Sequence, residues 1–167
     1  MRIQGVEIRP MNVHSDPRGN LYEILRSDEP MFRGFGQAYV LRVFKGERRG
    51  GHYHRFMWDF FAPVVGLIDV ILLDIRPGPT CGHSERFTLD AANPKGILVP
   101  PMVWHRIDSR SDEGCHAIGI PSLPYDPGKP DKHVMEFEEA VKKAGQNTIH
   151  DHSTDELAAG RGIRDGS

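Results

Sequence analysis

The sequence predicts an all-β fold, a sandwich or jelly roll carrying one short C-terminal helix. Three observations predict it. The chain holds 18 glycines and 13 prolines, a turn-rich balance that favours short strands over long helices. Short segments rich in β-branched and aromatic residues recur along it, separated by compact turn signals. Only one segment sustains helical spacing.

In chain order the strand candidates are GVEIRP (5–10), LYEILRS (21–27), QAYVLRVF (37–44), DFFAPVVG (59–66) and LIDVILLDIR (67–76). SERFTLD (84–90), GILVPP (96–101), VWHRIDSR (103–110) and CHAIGIP (115–121) follow. Turn signals fall between them at Ser15-Asp16-Pro17-Arg18-Gly19, Arg76-Pro77-Gly78-Pro79 and Asn93-Pro94-Lys95-Gly96. The helix is predicted within residues 131–146, where Val134, Phe137, Val141 and Ala144 follow helical spacing and Gly145 reads as the stop. It is expected to cover part of a sheet. One domain over residues 1–148 is expected, followed by a polar, weakly ordered tail over 149–167. His150 and His152 in that tail read as solvated side chains.

Composition removes several classes of function. A net charge of −2 without a basic stripe argues against nucleic acid as a partner. No apolar run reaches the length needed to span a bilayer, and the first residues lack a secretory pattern. Cys81 and Cys115 are too few for a disulfide framework and fit a reducing cytoplasm.

The chemistry concentrates in RRGGHYHRFMWD, residues 48–59. Residues two apart on a strand share a face, so His52 and His54 can converge on one point. Asp59 follows, and His105 lies on a later strand candidate. Two histidines, a carboxylate and a third histidine can bind a divalent first-row metal and leave positions open for substrate. Zn, Fe, Mn, Co and Ni all suit such donors. The plainer alternative is a set of hydrogen-bonded polar residues on strands. Counted from Gly46, five residues precede H-x-H, four more precede Asp59, and six more precede Gly66. That spacing resembles the first motif of the cupin superfamily, with Asp in place of the usual Glu. Pro100 and His105 fit the second motif, with Met102 where Gly is usual. The fold implied is the cupin jelly roll.

A wider set of residues resembles the dTDP-4-dehydrorhamnose 3,5-epimerase family, as a divergent branch. It comprises Asp16-x-Arg18-Gly19, Glu23, Gln37 and Lys45-Gly46-x-x-Arg49-Gly50-x-His52-Tyr53. It continues through Asp69-Val70-x-x-x-Asp74-x-Arg76, Pro79-Thr80-x-Gly82 and the Pro100 to His105 segment. The resemblance implies a homodimer that epimerises carbons beside the C4 ketone of a nucleotide-linked sugar, in polysaccharide or deoxysugar biosynthesis. It places His52 on the base, and Arg18, Glu23, Gln37 and Arg49 on positions that contact nucleotide or sugar. His52 and His105 are the catalytic candidates.

The chain departs from that family at the reacting end. His54 replaces a glutamine, Asp59 stands where a lysine is expected to steady the enolate, and Ile118 stands where a tyrosine is expected as acid. The aspartate that would orient the base is not recognisable. The standard 3,5-epimerase reaction is therefore not expected. His52, His54, Asp59 and His105 are expected to hold a metal that assists the chemistry, leaving the base to a metal-bound hydroxide or to another side chain such as His116 or Glu23. His116, alternating with apolar neighbours, also reads as a satisfied core histidine. Two other functions fit the same residues: a metal-dependent cupin dioxygenase or decarboxylase of a small acid, and a non-catalytic sugar-nucleotide binder.

Overall fold

The computed structural model describes residues 2–147. Its strands are β1 (Glu7–Pro10), β2 (Val13–Asp16), β3 (Gly19–Tyr22), β4 (Tyr39–Val43), β5 (Arg48–Tyr53), β6 (Asp59–Val65), β7 (Leu67–Asp74), β8 (Ser84–Asp90), β9 (Lys95–Val99), β10 (Val103–Ser109), β11 (Cys115–Pro121) and β12 (His133–Val134). One antiparallel sheet runs β1-β9-β6-β11-β4 and a second runs β12-β5-β10-β7-β8. β2 and β3 form a separate hairpin. A helix occupies residues 137–147. Among the described residues, no helix is long and apolar enough to cross a membrane. The predicted all-β jelly roll with a short C-terminal helix is the fold observed.

Alternation along the strands explains why the central ones read as unbroken apolar runs. On β7, Ile68, Val70 and Leu72 join the core between the sheets, packing with Phe61 and Val99. Their neighbours Ile71 and Leu73 point the other way, against Trp104, Tyr53, Ala140 and Ala144. The helix therefore covers the outer face of the second sheet. On the first sheet, Phe60, Ala62 and Leu98 face outward and are covered by Met11 and Met31.

Two local expectations need correction. Of LYEILRS, only Leu21 and Tyr22 are strand; Ile24 and Leu25 leave the hairpin and pack against the Met11–Phe60 cluster. The helix starts at residue 137, not 131, and passes through Gly145. Val134, counted on its apolar face, lies in β12 and is 71% exposed. The buried face is Phe137, Ala140 and Ala144, whereas Val141 is exposed. The predicted tail over 149–167, with His150 and His152, lies outside the described residues.

One irregularity sets up the site. Along the β5–β10 pair His105 faces His52, but Arg106 faces Gly50, so Gly51 is an extra residue in β5. Such a bulge bends the strand and re-aims the side chains beside it. Gly50 and Gly51 supply it with φ of +102° and +72°, a region L-residues with side chains rarely enter. A Cβ on Gly50 would also meet the His105 carbonyl oxygen at 2.9 Å.

Candidate active site

His52 ends up inside the sandwich because the bulge sets it opposite His105 on β10, while Tyr53 turns outward toward the helix. His54 lies one residue past the end of β5. The three imidazoles form a cluster, with ring centroids 4.6 Å apart for His52 and His105, 4.9 Å for His52 and His54, and 5.6 Å for His54 and His105. One ring nitrogen from each lies within 4.8 Å of the other two. Asp59 reaches the cluster from β6 in the facing sheet. Its Oδ2 is 3.2 Å from His54 Nε2 and 3.5 Å from His105 Nε2. The three predicted histidine ligands are thus brought together, with Asp59 beside two of them, His54 and His105.

Backbone carbonyls orient two of the rings. His105 Nδ1–H donates to the Val103 carbonyl at 3.1 Å, which turns Nε2 toward Asp59. His54 Nδ1–H donates to the Asp131 carbonyl. The same Asp131 carboxylate accepts backbone N–H groups from Arg55, Phe56 and Met57 at 2.8, 2.9 and 3.0 Å. Asp131 therefore pins the 55–57 loop and aims His54 at once. Met102 closes the arrangement from β10's side: its N–H donates to the His54 carbonyl at 2.7 Å. It does so at φ +60°, a conformation that accounts for a glycine preference at this position.

The environments push the imidazoles apart electrically. Burial, then the neighbouring His105, His54 and Lys132, push His52 down to about 2. Burial likewise lowers His105. Burial also works against charge on His54, yet the Asp59 carboxylate and the Asp131 carbonyl outweigh it and raise His54 above the usual value. A neutral acceptor and a ring that favours its proton thus sit side by side.

The cluster lies at a cavity of about 720 Å³ whose wall includes His52, His54 and Asp59, with Gln37, Tyr39 and Lys132 beside them. His105 stands just behind that wall, 3% exposed. Tyr39 reaches over Gly119 on β11, where a Cβ would meet its ring at 2.4 Å. Burial and the Asp59 charge raise its phenol, so it stays a proton donor. The remaining wall comes from the turn after β5 and from residues 121–133.

A family model described as "FdtA: WxcM-like, C-terminal" matches residues 4–142. The chain belongs to this family. Among curated relatives it is 30% identical over 139 residues to the "Probable low-salt glycan biosynthesis epimerase Agl13" of Haloferax volcanii, covering 81% of this chain and 89% of the relative. It is 28% identical over 147 residues to the spore coat polysaccharide biosynthesis protein SpsL of Bacillus subtilis, covering 87% and 97%. Among solved structures, a dTDP sugar isomerase from Desulfovibrio desulfuricans G20 superposes with a TM-score of 0.75 at 25% identity, over 83% of this chain and 88% of that one. The relatives of this cupin jelly roll thus include a probable epimerase of glycan biosynthesis, a protein of polysaccharide biosynthesis and a dTDP sugar isomerase.

The other residues singled out in the sequence scatter. Gln37 is on the cavity wall, where its Oε1 accepts the Tyr125 N–H at 3.1 Å. Arg18 sits at the tip of the β2–β3 hairpin, 90% exposed and paired with Asp16 at 2.6 Å. Glu23 pairs with Arg26 at 3.1 Å. Arg49 donates to the Arg42 carbonyl at 3.1 Å. None of these three lines the cavity within its own chain. His116 faces Arg42 and Val65 across its neighbouring strands and does not line it either. The sequence reading missed Asp131, Tyr39 and Lys132. Only Tyr39 carried a signal, as an aromatic that alternates with apolar residues in a strand.

Proposed function

We propose that this protein is an epimerase or isomerase of a nucleotide-linked 4-keto-deoxysugar, acting in polysaccharide or glycan biosynthesis. The observation that carries this reading is the His52–His54–Asp59–His105 cluster at the wall of a cavity large enough for such a substrate. The names of the relatives agree with it: an epimerase of glycan biosynthesis and an isomerase of dTDP sugars. Both reaction types begin with loss of a proton alpha to a ketone and pass through an enolate or enediol. His52, whose buried Nδ1 is without a hydrogen-bond partner among the described residues, offers a nitrogen to that proton. His54, held toward its protonated form by Asp59, can return one. Tyr39 adds a second donor.

The test is solvent exchange. Incubation in D₂O with 4-keto-6-deoxy sugars linked to dTDP, UDP, GDP or CDP should place deuterium beside the ketone of at least one, read by NMR. No exchange into any of them overturns the reading.

A specific observation favours a metal-assisted form of the same reaction. His52 Nδ1 and His105 Nε2 are buried without a hydrogen-bond partner, and unpaired buried nitrogens are costly unless something else binds them. His52, His54, Asp59 and His105 are the donors a divalent ion such as Zn, Fe, Mn, Co or Ni would take, and the Val103 and Asp131 carbonyls orient two of them as outer-shell partners do. A bound ion would polarise the sugar ketone as a Lewis acid, and His52, as one of its ligands, would then leave the role of base to another side chain. Protein purified without chelator should then carry close to one equivalent of metal by elemental analysis. Less than about half an equivalent would count it out, because preorganised sites of this kind bind firmly.

The proposal extends to a homodimer in the cytoplasm. The hairpin bearing Arg18 forms a sheet apart from the other two and leaves its edges open to a second copy. Both cysteines are free, as a reducing compartment would keep them.

A further inference from the structure

We infer that Lys132 is the cation that meets the sugar's ketone oxygen as it becomes an enolate, a role that rests on the function proposed above. When the alpha C–H bond breaks, the proton passes to the base and the bonding pair forms a carbon–carbon double bond. The carbonyl π pair moves onto oxygen, where a full negative charge develops. A preorganised positive group at that point is the largest single contribution such a site can make.

Lys132 is placed for it by the residues on either side. Asp131 is held by its carboxylate to three backbone N–H groups and by its carbonyl to His54. His133 pairs with Tyr53 in the β12–β5 ladder, and the two rings stack with centroids 5.0 Å apart. Lys132 is therefore fixed at its backbone between two anchored neighbours, with a free side chain. Because His133 shares a face with Tyr53, alternation sends Lys132 to the opposite face, that of His52 and His54. It lines the cavity beside both.

The surrounding charges leave it available. Of the acidic groups on the same wall, Asp59 faces His54 and His105, Asp126 caps the Gly128 N–H at 2.8 Å, and Asp131 is engaged by the 55–57 loop. Lys132 has no ion-pair partner among the described residues.

The experiment compares wild type, K132M and K132R in the deuterium-exchange assay, with dTDP affinity measured by titration alongside. K132M should slow exchange at saturating substrate by about 100-fold or more, the usual effect of removing one stabilising donor. Its dTDP affinity should stay within about twofold and its Tm close to wild type, since the side chain is exposed. K132R should recover part of the rate. A wild-type rate in K132M overturns the inference. So does weakened dTDP binding with an unchanged saturated rate, which would make Lys132 a diphosphate ligand. Absence of exchange in the wild type would instead bring down the parent reading, and this one with it.

Discussion

Two regions of this molecule bury charged or polar atoms and treat them in opposite ways. On β7, Asp69 and Asp74 are 2% and 1% exposed. Asp69 accepts the Thr88 hydroxyl at 2.6 Å and faces Arg110 and Arg86. Asp74 accepts Arg76 side-chain donors at 2.7 and 2.8 Å, the Arg76 N–H at 3.0 Å and the Thr80 hydroxyl at 2.5 Å. In the imidazole cluster, by contrast, His52 Nδ1 and His105 Nε2 have no hydrogen-bond partner among the described residues. Among the described residues, orphaned atoms occur elsewhere on Ser109, on His116 and on the ion-paired Arg9 and Glu29; here two belong to one cluster of three rings. Fully paired burial marks scaffold, and converging unpaired burial marks a place kept for something else. The difference also divides the family-type residues. Asp74, Arg76 and Thr80 close the β7–β8 turn, while His52 faces the cavity.

H52A should separate the regions most sharply. Loss of the acceptor should cut exchange by about 1,000-fold, within the range for a general base, while thermal unfolding stays near wild type. A large fall in Tm alongside would make the cluster structural. D74A should do the reverse on stability. Removing one partner of a buried, multiply bonded charge costs about 3–5 kcal/mol, readable by urea unfolding. A cost below about 1 kcal/mol, the worth of a surface pair, would erase the contrast.

Between these extremes lies G50A, which touches both regions of behaviour through the backbone. A side chain at its positive φ and against the His105 carbonyl should cost about 1–3 kcal/mol. It should also disturb the His52–His105 pairing, so activity should fall more than stability accounts for. The smallest effect belongs to Asp131. D131N should cost about 1–2 kcal/mol by weakening three charge-assisted bonds. Burial pushes the Asp131 carboxyl up, but its three N–H donors pull it below the usual carboxylate value. Its stabilisation is therefore complete above the unfolded value near about 4 and is lost as pH falls through the lower folded value. The stability difference between wild type and D131N should be flat near neutrality and close only in acid.

Much of this was legible in the residues themselves. Alternation and turn chemistry gave most strands, because half-buried and doubly buried strands leave distinct patterns. H-x-H, Asp59 and His105 could be grouped from spacing, since neighbouring strands of one sheet and a strand of the facing sheet carry side chains at fixed phase. What escaped were features made by tertiary contact. Val134 fits helical spacing with Phe137, yet the open edge of β5 captures it and His133 as a strand. Ile24 and Leu25 suit a strand, but the apolar face of the first sheet takes them as cover instead. Asp131 has no local signature at all, because its partners lie some 75 residues earlier in the chain.

The alternation of β5 has one more consequence. His52 looks into the cavity, and the next side chain, Tyr53, looks out into the layer formed with Trp104, Ala140 and Ala144, where His133 stacks on it and Lys143 approaches its hydroxyl at 3.4 Å. The cavity wall and the seat of the C-terminal helix are thus two sides of a partition one strand thick. A chain shortened before residue 137 would strip the backing from that partition, and His52 would lose its aim without a single cavity residue having been changed.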